Sequence, residues 1–397
     1  MRRTSSIDGT VSSTTPIGLP VRRSRRSVPL LATPAAALLA LATGCLHVPA
    51  PVDSVKSDTE LPALVCFTNA RDWRVEADSP DQITLLSPRI ETHADWNELI
   101  VCWNVQPAAG AGLVVQAQGL HESGETRFYG LGHWSLGDPA PVIRTSLREP
   151  TDADGSVHTD TLALRQPARA ARLRLTLVGQ LAHHPERLRL VGLSFCDTRQ
   201  LPRSRPPQPE AWGRTLDVPE RSQVSYADGR AWCSPTSVSM MLGWWSQAAH
   251  RPDLDRLVPE VAEGVNDPGW PGTGNWPFNT AYAGSLDGMT ACAARLHDLR
   301  EVEELIVAGI PVVLSVNAPV LRGKPPAKDG GHLILCVGFT SGGDIVANDP
   351  WARLEEGQRV RRTYPRENVE RAWQHAHQLA YLIAPTSYRA SFPCEWH

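Results

Sequence analysis

The chain has 397 residues, of which 42% are hydrophobic and 20% charged, and its formal net charge at pH 7 is −3. This near-balance of charge argues against the large basic surface that nucleic-acid binding requires, so no nucleic-acid partner is expected. The length exceeds that of one ordinary domain and suits two. The 34 prolines indicate many loops and at least one linker.

The first 45 residues are organised as an export signal. A basic run at residues 22–26 precedes an apolar run at 28–43, and Gly-Cys follows, ending at Cys45. This order is typical of a signal that is cleaved after export, and the apolar run is too short for a comfortable membrane span. We therefore expect an exported protein that is either attached to the cell envelope or secreted.

Two short motifs in this segment resemble known export signals. "SRRSVPLL" is similar to a twin-arginine signal, and "LATGC" is similar to a lipobox, in which Cys45 would be lipidated and become the mature N-terminus. Ala42 stands where such motifs usually carry leucine, and simple cleavage with secretion is the alternative. Membrane contact is expected only through this lipid anchor, and the polar residues 46–60 are expected to form a tether.

Residues 61–198 are expected to form an all-β domain. Short apolar runs such as "NELIVCWNV" and "ARLRLTLVG" are separated by Gly, Pro, Asp or His, and Leu173, Leu175 and Leu177 alternate with polar residues. Such alternation indicates an antiparallel strand with one buried face. About seven or eight strands at regular spacing favour a β-sandwich or jelly roll.

The aromatic residues of this domain allow two interpretations. Sandwiches of this kind often bind glycans, and Trp103, Tyr129 and Trp134 could form a platform for a cell-envelope glycan. Alternatively, each of these rings fills the core of the domain, which is the commoner role of an aromatic residue.

The second half of the chain has a different pattern. Residues 199–215 contain four prolines and are expected to form a semi-rigid linker. In residues 216–390, a helical period near Cys233 is followed by a second helix at 299–309 and by strand-like runs with hairpin-length turns. This order predicts an α+β domain rather than a doubly wound sheet. Residues 391–397 are expected to form a C-terminal tail.

The helix near Cys233 would place a thiol at a helix N-terminus. Ser234 is the expected N-cap, and Pro235 would occupy the first helical position. The free N–H groups and the dipole at this end of a helix stabilise a thiolate and lower the pKa of a thiol. The buried stripe of the helix would consist of Val238, Met241, Leu242 and Trp245.

A thiolate nucleophile needs an imidazole partner, and the imidazole needs an acceptor that fixes its ring. His332 opens the run "HLILCVGF", and Asp349 closes the next run, "DIVAND". Adjacent strands of a hairpin would place these two side chains near the same end. We therefore expect Cys233, His332 and Asp349 to converge, with Asn348 as an alternative partner of the imidazole.

The chain has eight cysteines, at positions 45, 66, 102, 196, 233, 292, 336 and 394. An oxidising compartment permits disulfides. When Cys45 and Cys233 are set aside, three cysteines lie on each side of the linker, an odd number that argues against complete pairing within each domain. Cys102 and Cys336 lie in apolar runs, where a small buried thiol is expected. The spacing of Cys and His residues predicts no metal site, and no cofactor is expected.

The motifs "WCSPTS", "GGHLILCVGF" and "ANDPWA", in this order, resemble the papain-like cysteine peptidases of the bacteriocin-leader-processing type and their C39-like relatives. The resemblance covers about residues 216–386. "GTGNWPFNTAYA" and "YPRENVERAW" are similar to phrases of exported actinobacterial-type members, and "ELIVCWN" and "DTLAL" are similar to the β domain of such proteins. The resemblance implies Cys233 as nucleophile, His332 as base and Asp349 as the orienting acid.

The resemblance also implies an oxyanion-hole donor and a substrate cleft. The leader-processing enzymes carry the oxyanion glutamine about six residues before the cysteine, where this chain has Ala227, and Gln223 is the nearest glutamine. A turn between them would absorb the difference in spacing. The residues expected to line a substrate cleft are Trp232, Asn275, Trp276 and Asn279, although the same loop could simply be packed.

Three functions follow from these patterns. The first is an exported cysteine peptidase or amidase that acts on a peptide or protein substrate through a thioester. The second is an acyl transferase of the transglutaminase type, which would use the same site with an amine as acceptor. The third is a non-catalytic protein that binds cell-envelope glycan through the β domain. The presence of all three candidate catalytic residues favours an enzyme.

Overall fold

The computed structural model describes residues 63–200, 204–270 and 272–397. The expected export signal, Cys45 and the tether lie outside the described residues. The described residues belong to one compact unit. Among them, no helix has both the length and the apolar character needed to cross a membrane.

The first half of the described chain consists almost entirely of strands. A short helix, α1 (Gln180–His183), lies between the last two of them. The strands are β1 (Leu64–Phe67), β2 (Arg74–Ser79), β3 (Gln82–Leu86), β4 (Ile90–Val105), β5 (Ala111–His121), β6 (Gly124–Glu125), β7 (Tyr129–Ser135), β8 (Thr145–Ser146), β9 (Gly155–His158), β10 (Thr161–Gly179) and β11 (Leu188–Cys196).

The alternation expected in the strand near residue 175 is confirmed in β10. Leu173, Leu175 and Leu177 are fully buried, and the polar residues between them are partly exposed. Buried leucines on one face of the strand contribute to the core of the domain, and the polar residues keep contact with solvent.

The strands of the first half form one continuous sheet among the described residues, in the order β1-β11-β4-β10-β5-β7-β8 with β2, β3, β6 and β9 at its sides. The sequence predicted a sandwich or jelly roll. In the structure, β10 pairs with β4 and β9 at its start and with β3 and β5 at its end, and its register with β4 shifts after Ala163 and again after Ala168. Such shifts bend a strand, and a bent strand that changes partners can pass from one layer of a sandwich to the other. The sandwich therefore stays a prediction.

The second half contains helices and a second sheet. The elements are α2 (Cys233–Ala248), α3 (Val258–Val265), α4 (Trp276–Ser285), β12 (Met289–Arg295), α5 (Leu299–Val307), β13 (Val312–Asn317), α6 (Ala318–Leu321), β14 (Gly331–Phe339), β15 (Ile345–Asn348), β16 (Arg361–Tyr364), α7 (Arg366–Gln374), β17 (Leu379–Pro385) and β18 (Glu395–Trp396). Strands β12 to β17 pair antiparallel in the order β12-β17-β13-β14-β15-β16.

Polar side chains of the first sheet bind the backbone of β12. The Asn104 amide donates to the carbonyl of Ala291 at 2.8 Å and accepts from the N–H of the same residue at 3.0 Å. The Ser194 hydroxyl accepts from the N–H of Arg295 at 2.8 Å. Buried polar groups need such partners, and these bonds fix the position of β12 against the first sheet.

Aromatic rings fill the space between the first sheet and α4. Phe278 of α4 lies with its ring centroid 6.1 Å from that of Trp103 and 5.2 Å from that of Trp134. Trp103, Trp134 and Tyr129 are buried. Of the two interpretations of these aromatic residues, the core role is therefore correct, and these three rings do not form an exposed platform for a glycan.

The expected linker and tail both pack against the folded halves. Arg205 forms an ion pair with Asp298 at 2.9 Å, and the indole N–H of Trp212 donates to Glu303 at 2.9 Å. At the other end of the domain, β18 pairs parallel to β1, so that the C-terminal residues extend the first sheet. The described part of the linker is thus attached to the second half, and the tail is attached to the first.

Candidate active site

Cys233 is the first residue of α2, and Trp232 occupies the N-cap position without a side-chain hydrogen bond. Ser234, the N-cap predicted from the sequence, lies inside the helix, so that prediction is wrong. The Ser234 hydroxyl lies instead 2.8 Å from the hydroxyl of Tyr381, within the core. The first N–H groups of a helix have no carbonyl partner in the helix. The thiol of Cys233 therefore lies beside unpaired N–H groups at the positive end of a helix of 16 residues.

His332 and Asp349 meet at one end of a hairpin. His332 is the second residue of β14, and Asp349 directly follows β15, which pairs antiparallel with β14. Nε2 of His332 lies 2.7 Å from Oδ1 of Asp349, and both side chains are buried. Since a carboxylate only accepts hydrogen bonds, Nε2 carries the proton and donates it. Nδ1 is then the ring nitrogen left for the thiol.

The Cys233 thiol and the His332 imidazole line the same groove and lie close enough for each to shift the pKa of the other. Burial raises the pKa of the Cys233 thiol, but the contact with His332 opposes this effect. Backbone N–H groups of Leu333 and Ser234 act in the same direction as the imidazole, and the pKa of the thiol falls below its ordinary value. Burial lowers the pKa of His332, whereas the contacts with Asp349 and Cys233 raise it to about 9. These directions favour a thiolate beside an imidazolium at neutral pH.

Asp349 has further partners besides the imidazole. The Tyr364 hydroxyl donates to Oδ2 at 2.6 Å, and the backbone N–H of Trp351 donates to Oδ1 at 2.9 Å. Guanidinium nitrogens of Arg362 and Arg322 lie 3.4 and 3.8 Å from Oδ2. Burial raises the pKa of Asp349, but the hydrogen bonds from the imidazole and from Tyr364 lower it to about 2. The carboxylate is thus ionised although it is buried.

Tyr364 and Arg362, which surround Asp349, were not predicted from the sequence. On β16, Tyr364 pairs with Ile345 and Arg362 pairs with Ala347. Asp349 continues the face of β15 that carries Ile345 and Ala347, because every second residue of a strand points to the same side. In "RRTY", every second residue, Arg362 and Tyr364, points to the same side of the strand. Pairing this run with "DIVAND" could have predicted that both side chains lie near Asp349.

Asn348, the alternative partner of the imidazole, lies on the other face of β15. Its amide nitrogen is 3.3 Å from the carbonyl oxygen of Val218 and 3.2 Å from that of Pro219, and its oxygen accepts from Arg361 at 3.1 Å. The imidazole of His332 therefore pairs with Asp349 and not with Asn348.

Gln223 lies in the core beside the turn that precedes Cys233. Its amide nitrogen donates to the carbonyl of Gly229 at 2.8 Å and to that of Arg230 at 3.0 Å. Both amide protons thus hold the turn, while the side-chain oxygen is buried without a hydrogen-bond partner among the described residues. Gln223 also lines the groove that contains Cys233. Its role as an oxyanion donor stays a prediction, which requires one amide proton to turn from the backbone to the substrate.

A groove of about 1000 Å³ contains Cys233 and His332. The second half of the protein supplies most of its wall, including Trp276 and Trp351. The first half supplies residues 158–161 and also Glu98. The groove is therefore built jointly by both halves of the chain.

The four residues expected in a substrate cleft have different positions. Trp276 lines the groove. Trp232 is partly exposed and packs on Tyr226, with ring centroids 5.9 Å apart, but it does not line the groove. Asn275 and Asn279 are buried.

The expectation for Asn275 and Asn279 is corrected by their contacts. The Asn275 side chain caps α4 by accepting from the N–H of Phe278 at 3.1 Å. The Asn279 side chain donates to the carbonyls of Thr273 and Asn275, each at 2.8 Å. Both asparagines hold the loop beside the groove and are too deeply buried to contact a substrate.

The three side chains are arranged for nucleophilic chemistry at a carbonyl group. The pKa shifts favour a thiolate beside an imidazolium, and a carboxylate holds the other nitrogen of the ring. Such a set can attack an acyl carbon and return a proton to the leaving group. Within the described ranges, no group of three or more His, Cys, Asp or Glu side chains is arranged to hold a metal ion.

Comparison with protein families identifies both halves of the chain. Residues 215–381 match the Peptidase_C39 like family, and residues 68–194 match the Peptidase C39 N-terminal domain. The resemblance drawn from the sequence is thereby confirmed. The protein has a C39-like peptidase domain preceded by an N-terminal domain of the kind found with such peptidases, and the family indicates a cysteine peptidase.

Similarity to solved structures is weaker. A crystal structure described as a C39-like peptidase from Bacillus anthracis is 18% identical, over 43% of this chain and 95% of that chain, with a TM-score of 0.33. Structures of infectious bursal disease virus strains Gt and Gx are 13% and 15% identical, over 36% and 37% of this chain and 40% and 41% of theirs, with TM-scores of 0.16 and 0.15. Comparison with curated proteins gives no match.

Proposed function

We propose that the protein is an exported cysteine peptidase or amidase with a papain-like catalytic domain, in which Cys233, His332 and Asp349 break a peptide or amide bond. One observation carries the proposal. A thiol at the start of a helix contacts an imidazole, and the other nitrogen of that imidazole lies 2.7 Å from a buried carboxylate. The family match supports the class of enzyme, and the geometry supports the role of each residue.

The proposed reaction has two halves. The thiolate of Cys233 attacks the carbonyl carbon of the substrate, and the C–N bond breaks as Nδ1 of His332 gives its proton to the leaving nitrogen. A thioester remains on the sulfur. The imidazole, now neutral, takes a proton from water, which attacks the thioester and releases the acid and the thiolate. Asp349 holds the ring throughout and does not receive the proton.

The developing oxyanion needs donors about 3 Å away. The backbone N–H of Cys233 is one candidate, because the first residue of a helix has no intrahelical acceptor for its N–H. The amide of Gln223 is the other candidate, since it lies beside the turn before the cysteine and lines the groove.

A peptide or protein is the proposed substrate. A groove of about 1000 Å³ is large enough for several residues of an extended chain and places Cys233 within its wall. Its wall includes charged side chains, since Glu98 and Arg295 both line the groove and form an ion pair at 2.5 Å. Because residues 158–161 line the same groove, we propose that the N-terminal domain takes part in substrate binding.

The proposed location of the protein in the cell rests on its N-terminal segment. Its basic and apolar runs favour export, with the protein either secreted or anchored through a lipid on Cys45. Binding of a cell-envelope glycan by the N-terminal domain is kept as a secondary proposal. It needs residues other than Trp103, Tyr129 and Trp134, because these three are buried.

The test compares the full chain with Cys233→Ala on pools of fluorogenic peptides. Cys336→Ala is the matched control, because Cys336 is buried in β14 and does not line the groove. The proposal expects turnover by the wild type and the control and none by Cys233→Ala. Full activity of Cys233→Ala would overturn it. Adding hydroxylamine distinguishes acyl transfer from hydrolysis. In a transferase, hydroxylamine should attack the thioester in preference to water, and the product should be a hydroxamate instead of an acid.

A further inference from the structure

A hollow of about 410 Å³ lies beside the groove that contains Cys233. Its wall consists of one tryptophan, one glutamine and four arginines: Trp351, Gln358, Arg322, Arg353, Arg359 and Arg362. Among the described residues, no acidic side chain lines it. Arg322 and Trp351 line the groove as well, so the hollow and the groove share part of their wall. We call it the arginine hollow.

The loop between β15 and β16 holds the arginine hollow in shape. The side-chain oxygen of Gln358 accepts from the backbone N–H of Arg353 and from a guanidinium nitrogen of Arg362, each at 3.1 Å. Arg362 also donates to the backbone carbonyl of Trp351 at 2.9 Å. These bonds connect the two ends of the loop, so the hollow is formed before any ligand enters it. Such preorganisation lowers the cost of binding.

Two of the four arginines lie near the carboxylate of the active site. Guanidinium nitrogens of Arg362 and Arg322 are 3.4 and 3.8 Å from Oδ2 of Asp349, and Oδ1 of the same carboxylate is 2.7 Å from the imidazole of His332. One negative charge is thus shared by two guanidinium groups and by the ring. It cannot neutralise all of them.

The other two arginines extend the positive charge away from the active site. Arg353 forms an ion pair with Glu356 at 2.8 Å, and both side chains are about half exposed. Arg359 is exposed, and its guanidinium forms no ion pair or hydrogen bond with any described residue. The hollow therefore has more positive charge than its own neighbours balance, although the whole chain has a net charge of −3.

The position of the hollow relates it to one part of the substrate. Asp349 holds Nε2 of His332, and the other ring nitrogen is left for Cys233, so the arginines around Asp349 lie beyond the imidazole as seen from the thiol. In the proposed reaction the imidazole gives its proton to the leaving nitrogen. The leaving part of the substrate is therefore on the side of the imidazole, and the residues that follow the cleaved bond extend toward the hollow.

A guanidinium group binds a carboxylate through two parallel hydrogen bonds and keeps its charge at every physiological pH. We infer that the arginine hollow binds an acidic side chain of the substrate, within the first few residues after the cleaved bond, and that Arg359 is a specificity residue for it. The substrate class is thus a peptide or protein with Asp or Glu at this place. The inference rests on the proposed peptidase function for the direction of the substrate.

The first test measures the preference in turnover by the full chain. One peptide that the protein cleaves is taken, its cleaved bond is located by mass spectrometry, and variants carry Glu, Gln or Lys at each of the next three positions. At one or more of these positions, Glu should raise kcat/KM at least about 5-fold over Gln, and Lys should lower it. The ratio for Glu over Gln should fall below about 2 in Arg359→Gln.

Arg214→Gln is the matched control, because it removes the same charge from an exposed arginine that lines neither the hollow nor the groove. It should keep the wild-type ratio. The absence of a preference for Glu at all three positions would overturn the inference, and so would equal ratios in Arg359→Gln and Arg214→Gln.

A binding measurement separates the inference from the proposed function. Cys233→Ala is titrated at low ionic strength with a fluorescein-labelled decapeptide of alanines that has two adjacent central glutamates and an amidated C-terminus. Fluorescence anisotropy should show binding at least about 5-fold tighter than that of the same peptide with glutamines, and added salt should weaken it. The Cys233→Ala, Arg359→Gln double variant should lose the difference.

The outcomes of the binding measurement are distinct from those of turnover. If the wild type cleaves no peptide but this preference is found, the proposed function fails and the acidic ligand of the hollow stands. Equal binding of the glutamate and glutamine peptides would overturn the inference. A gain in affinity that appears only when the C-terminal carboxylate is left free would overturn it too, because the hollow would then bind the end of a chain and not an acidic side chain.

Discussion

The carboxylate of Asp160 in the N-terminal domain accepts a 2.8 Å hydrogen bond from the backbone N–H of Trp276, the first residue of α4 in the peptidase domain. Both residues line the groove that contains Cys233. One wall of the groove therefore depends on a contact between the two domains. The bond also satisfies an N–H at the start of a helix, which has no acceptor within the helix.

Asp160→Asn is expected to stabilise the protein at neutral pH. Burial raises the pKa of Asp160 to about 6. The folded state thus binds this proton more tightly than the unfolded state, and the contribution of Asp160 to stability falls as pH rises from about 4 to about 6. Asparagine keeps an acceptor for Trp276 without the charge. The variant should be more stable than wild type by about 1–3 kcal/mol at pH 7.5, with little difference at pH 4.

Urea unfolding between pH 4 and pH 8 measures this difference. Asp154→Asn is the control, since Asp154 is exposed in the turn before β9. A stability difference between Asp160→Asn and wild type that stays constant across this range would contradict the raised pKa of Asp160.

The pH dependence of kcat/KM should have an alkaline limb near pH 9. The active form needs a proton on His332 beside an ionised Cys233, and the pKa of His332 is raised to about 9. The acidic limb of kcat/KM should lie at a pH below the ordinary pKa of a thiol, because the pKa of Cys233 is lowered. Initial rates with one fluorogenic peptide from pH 4 to pH 10 provide the measurement. A rate that keeps rising through pH 9 would mean that a neutral imidazole is the active form.

Two replacements of Asp349 should have unequal effects. In Asp349→Asn, the amide oxygen can still accept from the imidazole and from the N–H of Trp351, while its NH₂ group faces the Tyr364 hydroxyl. Asparagine should therefore keep activity within about 10-fold of wild type, whereas alanine should lose about 100-fold or more in kcat/KM. The alkaline limb of Asp349→Asn should move toward neutral pH, because the charge that raises the pKa of His332 is gone.

Steady-state kinetics of the two variants over the same pH range test this account. Equal losses in Asp349→Asn and Asp349→Ala would indicate that the charge, and not the orientation of the ring, is what matters. Unchanged activity in Asp349→Ala would remove Asp349 from the site.

Tyr364 is a positioning residue, because it acts on the imidazole through Asp349. Tyr364→Phe removes the 2.6 Å bond to Oδ2 and should lower kcat/KM by about 3- to 10-fold, the cost of one hydrogen bond in a partly retained network. A carboxylate with one donor fewer attracts the ring proton more strongly, so the alkaline limb should move to higher pH. Tyr282→Phe, at another buried tyrosine, is the control. A loss of activity without movement of the limb would indicate a structural role alone.

The local parts of the site could be predicted from the sequence. Cys233 before a helical period, and His332 and Asp349 at the ends of two short apolar runs, were sufficient to expect their convergence, because strand spacing fixes distances within a hairpin. The N-cap was misplaced at Ser234, because the hydroxyl of this serine pairs with that of Tyr381 in the core and the helix already begins at Cys233. The cap at Asn275 had a usable signal, an asparagine two residues before a proline.

Contacts between distant parts of the chain could not be predicted in this way. Nothing local to Asp160 indicates that it binds the backbone of Trp276, 116 residues later. The pairing of β18 with β1 joins the two ends of the described chain, and neither segment has a pattern that selects the other. The register of β10 against β4 shifts twice, and such bulges leave no clear mark in the alternation of apolar residues.

The central claim is that Cys233 is a thiolate activated by His332, and its rate of alkylation by iodoacetamide tests this without a substrate. In the native protein at pH 6, mass spectrometry should find Cys233 modified before Cys196, Cys336 or any other cysteine, and His332→Ala should slow this modification at least about 10-fold. Modification of Cys233 no faster than that of the buried Cys336, or a rate unaffected by His332→Ala, would contradict the account.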